Sequence, residues 1–161
     1  SIADVLALTV EEAVSLFKNN EKVVSRLQNL EATGLQYMTL GQSLDTLSGG
    51  EIQRLKLSRY LDSDAKDKIF IFDEPTTGLH EDDIPALLSC FEQLINQQNT
   101  VILIEHNLTM MTHADWIIDV GPGPGLRGGK VLYSGEPEGL LNVENSVTRE
   151  HLKRYIKNSS F

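Results

Sequence analysis

Ile69-Phe70-Ile71-Phe72-Asp73-Glu74-Pro75 is the stretch on which the reading of this chain turns. Four apolar residues without alternation, ended by two carboxylates and a proline, have the pattern of a short strand buried on both faces. Downstream, residues 81–97 carry Ile84, Leu87, Leu88, Phe91, Leu94 and Ile95 at helical steps, and Thr100-Val101-Ile102-Leu103-Ile104 is a second continuous apolar run. Strand, helix, strand predicts a right-handed parallel crossover, and with it an α/β fold. Further on, a short helix is expected around Leu108 and Met111, and strands at Trp116–Val120 and Lys130–Ser134. The Gly- and Pro-rich run Gly121–Gly129 between those strands reads as a structural turn, and a helix is expected over Thr148–Lys157.

Upstream of the strand the pattern is helical. Thr9 followed by Glu12 is a capping-box pattern ahead of Val10, Ala13, Val14 and Phe17, which predicts a helix over Val10–Asn19. A second helix begins at Glu21 with Val23, Val24, Leu27 and Leu30 on one face, and Gly34 stands where a left-handed cap is needed. Residues 34–47 lack periodicity, and a third helix with Ile52, Leu55 and Tyr60 opens at Ser48-Gly49-Gly50-Glu51. Residues 1–61 therefore read as a helical subdomain, and residues 62–161 as the strand-bearing part.

The chain has 161 residues, 40% hydrophobic and 23% charged, with a formal net charge of −9. That length suits one domain or a large piece of a bigger one. No run of 18 apolar residues could span a bilayer, so no membrane partner is expected. The scattered basic residues argue against a phosphate-tracking surface within these residues. A single cysteine, Cys90, excludes an internal disulfide framework and a multi-cysteine zinc site here, in keeping with a reducing cytoplasm. The chain opens at Ser1, without methionine, almost directly in helical pattern, so a segment of a longer protein is expected.

Two clusters carry chemistry. Ligands of α/β sheets gather at the carboxyl ends of parallel strands, and here both apolar strands end in reactive groups, Asp73-Glu74 and Glu105-His106. One carboxylate of an acidic pair can hold magnesium through water while the next orients or deprotonates an attacking water. The same pair can also simply cap the following segment. The second cluster is Leu47-Ser48-Gly49-Gly50-Glu51, where bare glycines and the free amides of a helix start favour a phosphate. Ser48 and Glu51 also make a plain capping box, which needs no ligand.

Taken in order, Leu47–Glu51, then Asp73-Glu74-Pro75 after a hydrophobic strand, then His106 after the next strand resemble the signature, Walker B and switch-histidine series of ABC ATPases. The resemblance implies a P-loop NTPase of the ABC class in which Ser48, Gly49, Gly50 and Glu51 meet the γ-phosphate of an ATP held by an opposing nucleotide-binding domain. It further implies that Asp73 supports Mg²⁺, that Glu74 is the general base and His106 the γ-phosphate sensor, and that Thr77-Gly78-Leu79-His80 crosses the dimer interface.

Within that class, Gly34-Leu35 with Tyr37 and Leu40-Gly41-Gln42 resembles the UvrA family of bacterial DNA-repair excinucleases, as do Thr46–Arg54, Asp73–His80, Ile104–Leu108 and Ala114–Asp119 with Gly121-Pro122. The resemblance extends over nearly the whole chain and implies the C-terminal segment of such a protein. It brings expectations of ATP binding and hydrolysis coupled to DNA damage recognition, DNA contacts through other parts, the excinuclease component UvrB as partner, and a homodimer. Glycine-rich residues 121–129 lack the Lys-Ser or Lys-Thr of a phosphate loop. In the family that loop and a zinc-binding insertion lie far upstream, so zinc is expected only there and the segment alone is expected to hydrolyse no ATP. The tail from Glu144 follows the family less closely, which leaves a resistance-type paralogue open. A transporter nucleotide-binding domain and a non-catalytic ABC relative stay open as well.

Outside these clusters, His113 is expected to be a partly buried structural histidine, and Cys90 a small hydrophobe on the apolar side of its helix. Arg54, Lys56 and Arg59 read as a solvated basic face on the signature helix, with DNA contact as the minor reading.

Overall fold

A computed structural model describes residues 1–61, 63, 65–123 and 128–158. The chain divides into two compact units, Ser1–Glu105 and a second from His106 onward. The first begins with α1 (Ile2–Ala7), α2 (Val10–Leu16) and α3 (Glu21–Ala32), followed by α4 (Gly49–Leu61). The Thr9–Glu12 capping box forms as expected, the Thr9 hydroxyl accepting from the Glu12 amide at 3.2 Å and the Glu12 carboxylate accepting from the Thr9 amide at 2.9 Å. Helix α2 is shorter than its pattern, and α1 is a separate element that the pattern does not mark. Val10, Ala13, Leu27, Leu35 and Met38 make a core that packs α2 against α3.

Gly34 adopts φ +73°, the left-handed cap expected after α3. A side chain there would also collide with Leu79, whose Cδ2 lies 2.5 Å from where a Cβ would stand. The glycine thus lets the loop after the first strand close onto the end of α3.

Strands β1 (Ile69–Asp73) and β2 (Thr100–Ile104) pair in parallel, Ile69 opposite Thr100 and Asp73 opposite Ile104, with α5 (Ile84–Asn96) between them in sequence. The predicted parallel pair is present, and a separate 3₁₀ turn, Glu81–Asp83, leads into α5. Burial on both strand faces is not. Phe70 and Phe72 face the helices: Phe70 meets Tyr60 edge-on at 4.9 Å, and Phe72 lies 5.1 Å from Phe91 of α5. Ile69, Ile71, Ile102 and Ile104 stay 46–67% exposed. The apolar run has no alternation because both faces are hydrophobic, yet only one is covered here.

The second unit holds α6 (Leu108–Thr112), β3 (Ile117–Gly121), β4 (Lys130–Gly135), α7 (Pro137–Leu140) and α8 (Val147–Asn158). Strands β3 and β4 pair antiparallel with a bulge at Asp119/Val120. Buried Asp119 accepts from the hydroxyls of Ser146 (2.6 Å) and Thr148 (2.8 Å), anchoring the start of α8 to β3. Part of the expected 121–129 turn, residues 124–127, lies outside the described residues. Among the described residues no helix is long and apolar enough to cross a membrane.

Gly34→Ala is expected to destabilise the first unit by about 1–3 kcal/mol, combining left-handed strain and the Leu79 collision. Adding Leu79→Ala should recover only the steric share, read as a partial return of the urea midpoint.

Candidate nucleotide-interaction site

The amino terminus of α4 is built by the Ser48–Glu51 capping box. The Glu51 carboxylate accepts from the Ser48 amide at 2.7 Å, and the Ser48 hydroxyl accepts from the Glu51 amide at 3.3 Å. Tyr37 adds a short hydrogen bond to the other Glu51 oxygen. That phenol, together with Ser48, holds the Glu51 carboxyl below its ordinary range, while burial and then the Glu51 contact push the Tyr37 hydroxyl up. The structural function of the motif is therefore present, and it leaves the glycines for other contacts.

The two glycines differ. Around Gly49 no heavy atom stands within 4 Å of a Cβ position, so its backbone faces open space at a helix start. At Gly50 a Cβ would lie 3.2 Å from the Thr77 carbonyl oxygen, 3.3 Å from Arg54 Nη1 and 3.6 Å from the Glu74 carbonyl oxygen. Gly49 is free for a ligand to approach, whereas Gly50 is the point where α4 touches the loop that follows β1.

That loop carries the acidic pair. Asp73 closes β1, and Glu74 follows with φ +49°, left-handed for a residue with a side chain, its amide donating to the Ile104 carbonyl at 2.8 Å. Such a conformation is held only where the surroundings enforce it. The Thr77 hydroxyl donates to the Glu74 carboxylate at 3.4 Å. Glu105, from the end of β2, accepts from both the amide (2.9 Å) and the hydroxyl (2.7 Å) of Thr76. The two strand ends thus meet through Thr76, and Glu105 serves as a brace for the loop.

His80 sits exposed at the start of the 3₁₀ turn, its Nδ1 accepting from the Asp82 amide at 3.4 Å. His106 opens the second unit, where it lines a shallow cavity of about 300 Å³ with Leu108, Met111, Val147, Thr148 and His151. Ser48, Gly49, Gly50, Glu51, Asp73, Glu74 and His80 accordingly belong to the first unit, and His106 to the second.

Arg54 and His113 differ from their sequence readings, and Gln53 acquires a role. Arg54 is not part of a solvated basic face. It is 1% exposed, with Nη1 donating to the carbonyls of Pro75 (2.8 Å) and Thr77 (3.0 Å), while Lys56 and Arg59 remain exposed. Gln53, given no role from sequence, makes two bonds to the Asp73 backbone: its amide donates to the carbonyl at 2.8 Å and its oxygen accepts from the amide at 2.9 Å. Neither contact had a signal in sequence, since the partners are backbone groups 20 to 23 residues away. His113 is exposed instead of partly buried, with Nδ1 2.8 Å from the Thr109 carbonyl. Cys90 is buried as expected, which pushes its thiol up to about 11.

Hard carboxylate oxygens at Asp73 and Glu74 and an open glycine amide at a helix start are the donor types that magnesium and phosphate take. Among the described residues, no group of three or more His, Cys, Asp or Glu side chains could hold a metal by itself. A magnesium ion at Asp73 would need its remaining oxygens from phosphate and water.

Comparison with known proteins agrees with this geometry. Residues 4–77, which include the α4 start and the acidic pair, match the ABC transporter family. The chain is 47% identical over 158 residues to UvrABC system protein A of Aquifex aeolicus, covering 98% of this chain and 17% of that protein. It is 48% identical to the Bacillus subtilis protein of the same name, covering 98% and 16%. The crystal structure of UvrA2 from Deinococcus radiodurans superposes with a TM-score of 0.86 at 36% identity, over 94% of this chain and 22% of that one. The fold is thus that of part of an ABC-class P-loop ATPase. Within that class the chain belongs to the UvrA family, spanning about one sixth of the length of the relatives it matches.

Tyr37→Phe should raise the Glu51 pKa toward the ordinary carboxylate value by removing its strongest hydrogen bond. Because a depressed carboxylate pKa stabilises the fold above the unfolded value and is lost as pH falls through the folded one, the variant should lose its acid tolerance earlier. Carboxyl-carbon NMR titration of Glu51 checks the first effect, and helical signal between about pH 5 and pH 3 the second.

Proposed function

We propose that the chain is the C-terminal ABC ATPase segment of a UvrA-type protein, in which ATP binding and hydrolysis are coupled to recognition of DNA damage in nucleotide excision repair. The observation that carries this reading is the packing of the Ser48-Gly49-Gly50 helix start against the loop bearing Asp73 and Glu74, within a chain 47–48% identical to UvrABC system protein A.

In this reading residues 1–61 are the signature subdomain, and residues 62–161 the Walker B and switch-histidine part of the second nucleotide-binding domain. Ser48, Gly49, Gly50 and Glu51 present the α4 start to the γ-phosphate of an ATP bound by the opposing domain. Asp73 supports Mg²⁺ through water, Glu74 takes a proton from the attacking water, and His106 senses the γ-phosphate. His80 belongs to the loop crossing between the domains. ATP bound with its metal supplies the phosphoryl group, and the protein supplies position and charge stabilisation.

The intact protein, in this proposal, is a cytoplasmic homodimer that binds DNA through other regions and works with the excinuclease component UvrB. Zinc, like the phosphate loop, belongs to upstream parts of such a protein. In the full-length protein, Glu74→Gln is expected to abolish ATP turnover while sparing nucleotide binding, measured as phosphate release beside fluorescent-nucleotide affinity. Turnover at the unaltered rate would remove Glu74 from the role of base. The 161-residue chain by itself should release no phosphate above background.

A further inference from the structure

The loop that carries Glu74 is held from one side by two consecutive residues of α4, and their geometry is more specific than packing requires. Successive helical side chains diverge by about 100°, so Gln53 and Arg54 reach different points of the same loop. Gln53 takes both the amide and the carbonyl of Asp73, pairing with it as a neighbouring strand would. Arg54 takes the carbonyls of Pro75 and Thr77 through one nitrogen, Nη1. The peptide before Glu74 is therefore held from α4 through the Asp73 carbonyl and from β2 through the Glu74 amide, the Glu74 carbonyl accepts from the Thr77 amide at 3.1 Å, and α4 holds the chain again at Pro75 and Thr77. This is the enclosure that sustains the left-handed Glu74 backbone.

Arg54 is a costly way to hold a loop. Its guanidinium is 1% exposed and stands close enough to the Tyr37 hydroxyl and the Glu51 carboxylate for its charge to act on both. Glu51, in the first turn of the same helix, spends its oxygens on Tyr37 and Ser48. A buried cation is costly to leave without its hydrogen-bond partners, so Arg54 resists separation from the carbonyls of the 75–77 segment. The close approach of Gly50 to the Thr77 and Glu74 carbonyls removes slack from the same contact.

We propose that Gln53 and Arg54 are positioning residues that transmit the placement of the α4 amino terminus to the Glu74 carboxylate, linking the phosphate contacted by one end of the helix to the hydrolytic base held by its first turns. This rests on the nucleotide reading given above. Neither residue touches the reacting atoms; each acts through the backbone that aims Glu74.

The test uses the full-length protein with Gln53→Met and Arg54→Lys, which keep bulk or charge while losing the paired bonds. Gln53 is only half-buried, so its variant keeps the fold even where the arginine variant is weakened. Both are expected to lower kcat by about 10- to 100-fold, the scale of an ångström-level misplacement, with KM for ATP and nucleotide affinity within about two-fold. Unaltered kcat in both variants, or a kcat loss matched by equal losses in affinity and folded fraction, overturns the relay. Normal turnover by Glu74→Gln itself would instead overturn the reading of Glu74 as base, and a dead Glu74→Gln beside a fully active Arg54→Lys and Gln53→Met would overturn the relay alone.

Discussion

The bonds from Gln53 and Arg54 of α4 to the segment after β1 are the constraint on which the first unit depends. They join a helical layer to the end of a parallel strand at the place where the chain carries its two carboxylates. Without them the loop would have the Thr76–Glu105 contacts and the Glu74–Ile104 backbone bond to hold it to β2, but no tie to the helix that starts with the two glycines. Gly50 is small for this reason, since its neighbour in space is the loop backbone. Gly49 is small with nothing near it, and the difference separates a packing requirement from an approach route.

Local strain and bracing are distributed consistently around this joint. Gly34 lets Leu79 close onto the end of α3, and Gln36 donates to Asp83 at 3.3 Å just beyond it. The segment from Glu74 to Asp83 is thereby held near its start by α4 and, through Thr76, by Glu105, at Leu79 by the end of α3, and at Asp83 by Gln36. An exposed segment held in this way keeps Glu74 and His80 at the surface on a braced backbone.

Much of this was legible in sequence because it depends on local chemistry. The Thr9 and Ser48 capping boxes, the Gly34 cap, the parallel β1–β2 pair and the buried Cys90 each follow from residue type and spacing. What was not legible depends on long-range partners. An arginine three residues beyond Glu51 on a helix with Lys56 and Arg59 reads as surface until the β1 loop is brought against it. Gln53 carries no periodic or compositional signal, because its two bonds go to backbone that any residue could supply.

The face of β1 and β2 left bare is another place where sequence and structure part, and the difference is informative. Parallel sheets are covered on both sides in folded proteins, and a pair of strands with one apolar face in water is a marginal structure. Ile69, Ile71, Ile102 and Ile104 together offer a continuous apolar surface whose burial is worth about 25 cal/mol per Å². By the two-residue period of a strand, Asp73 shares the side of Ile69 and Ile71. Any layer that covers those isoleucines therefore borders the Asp73 carboxylate as well.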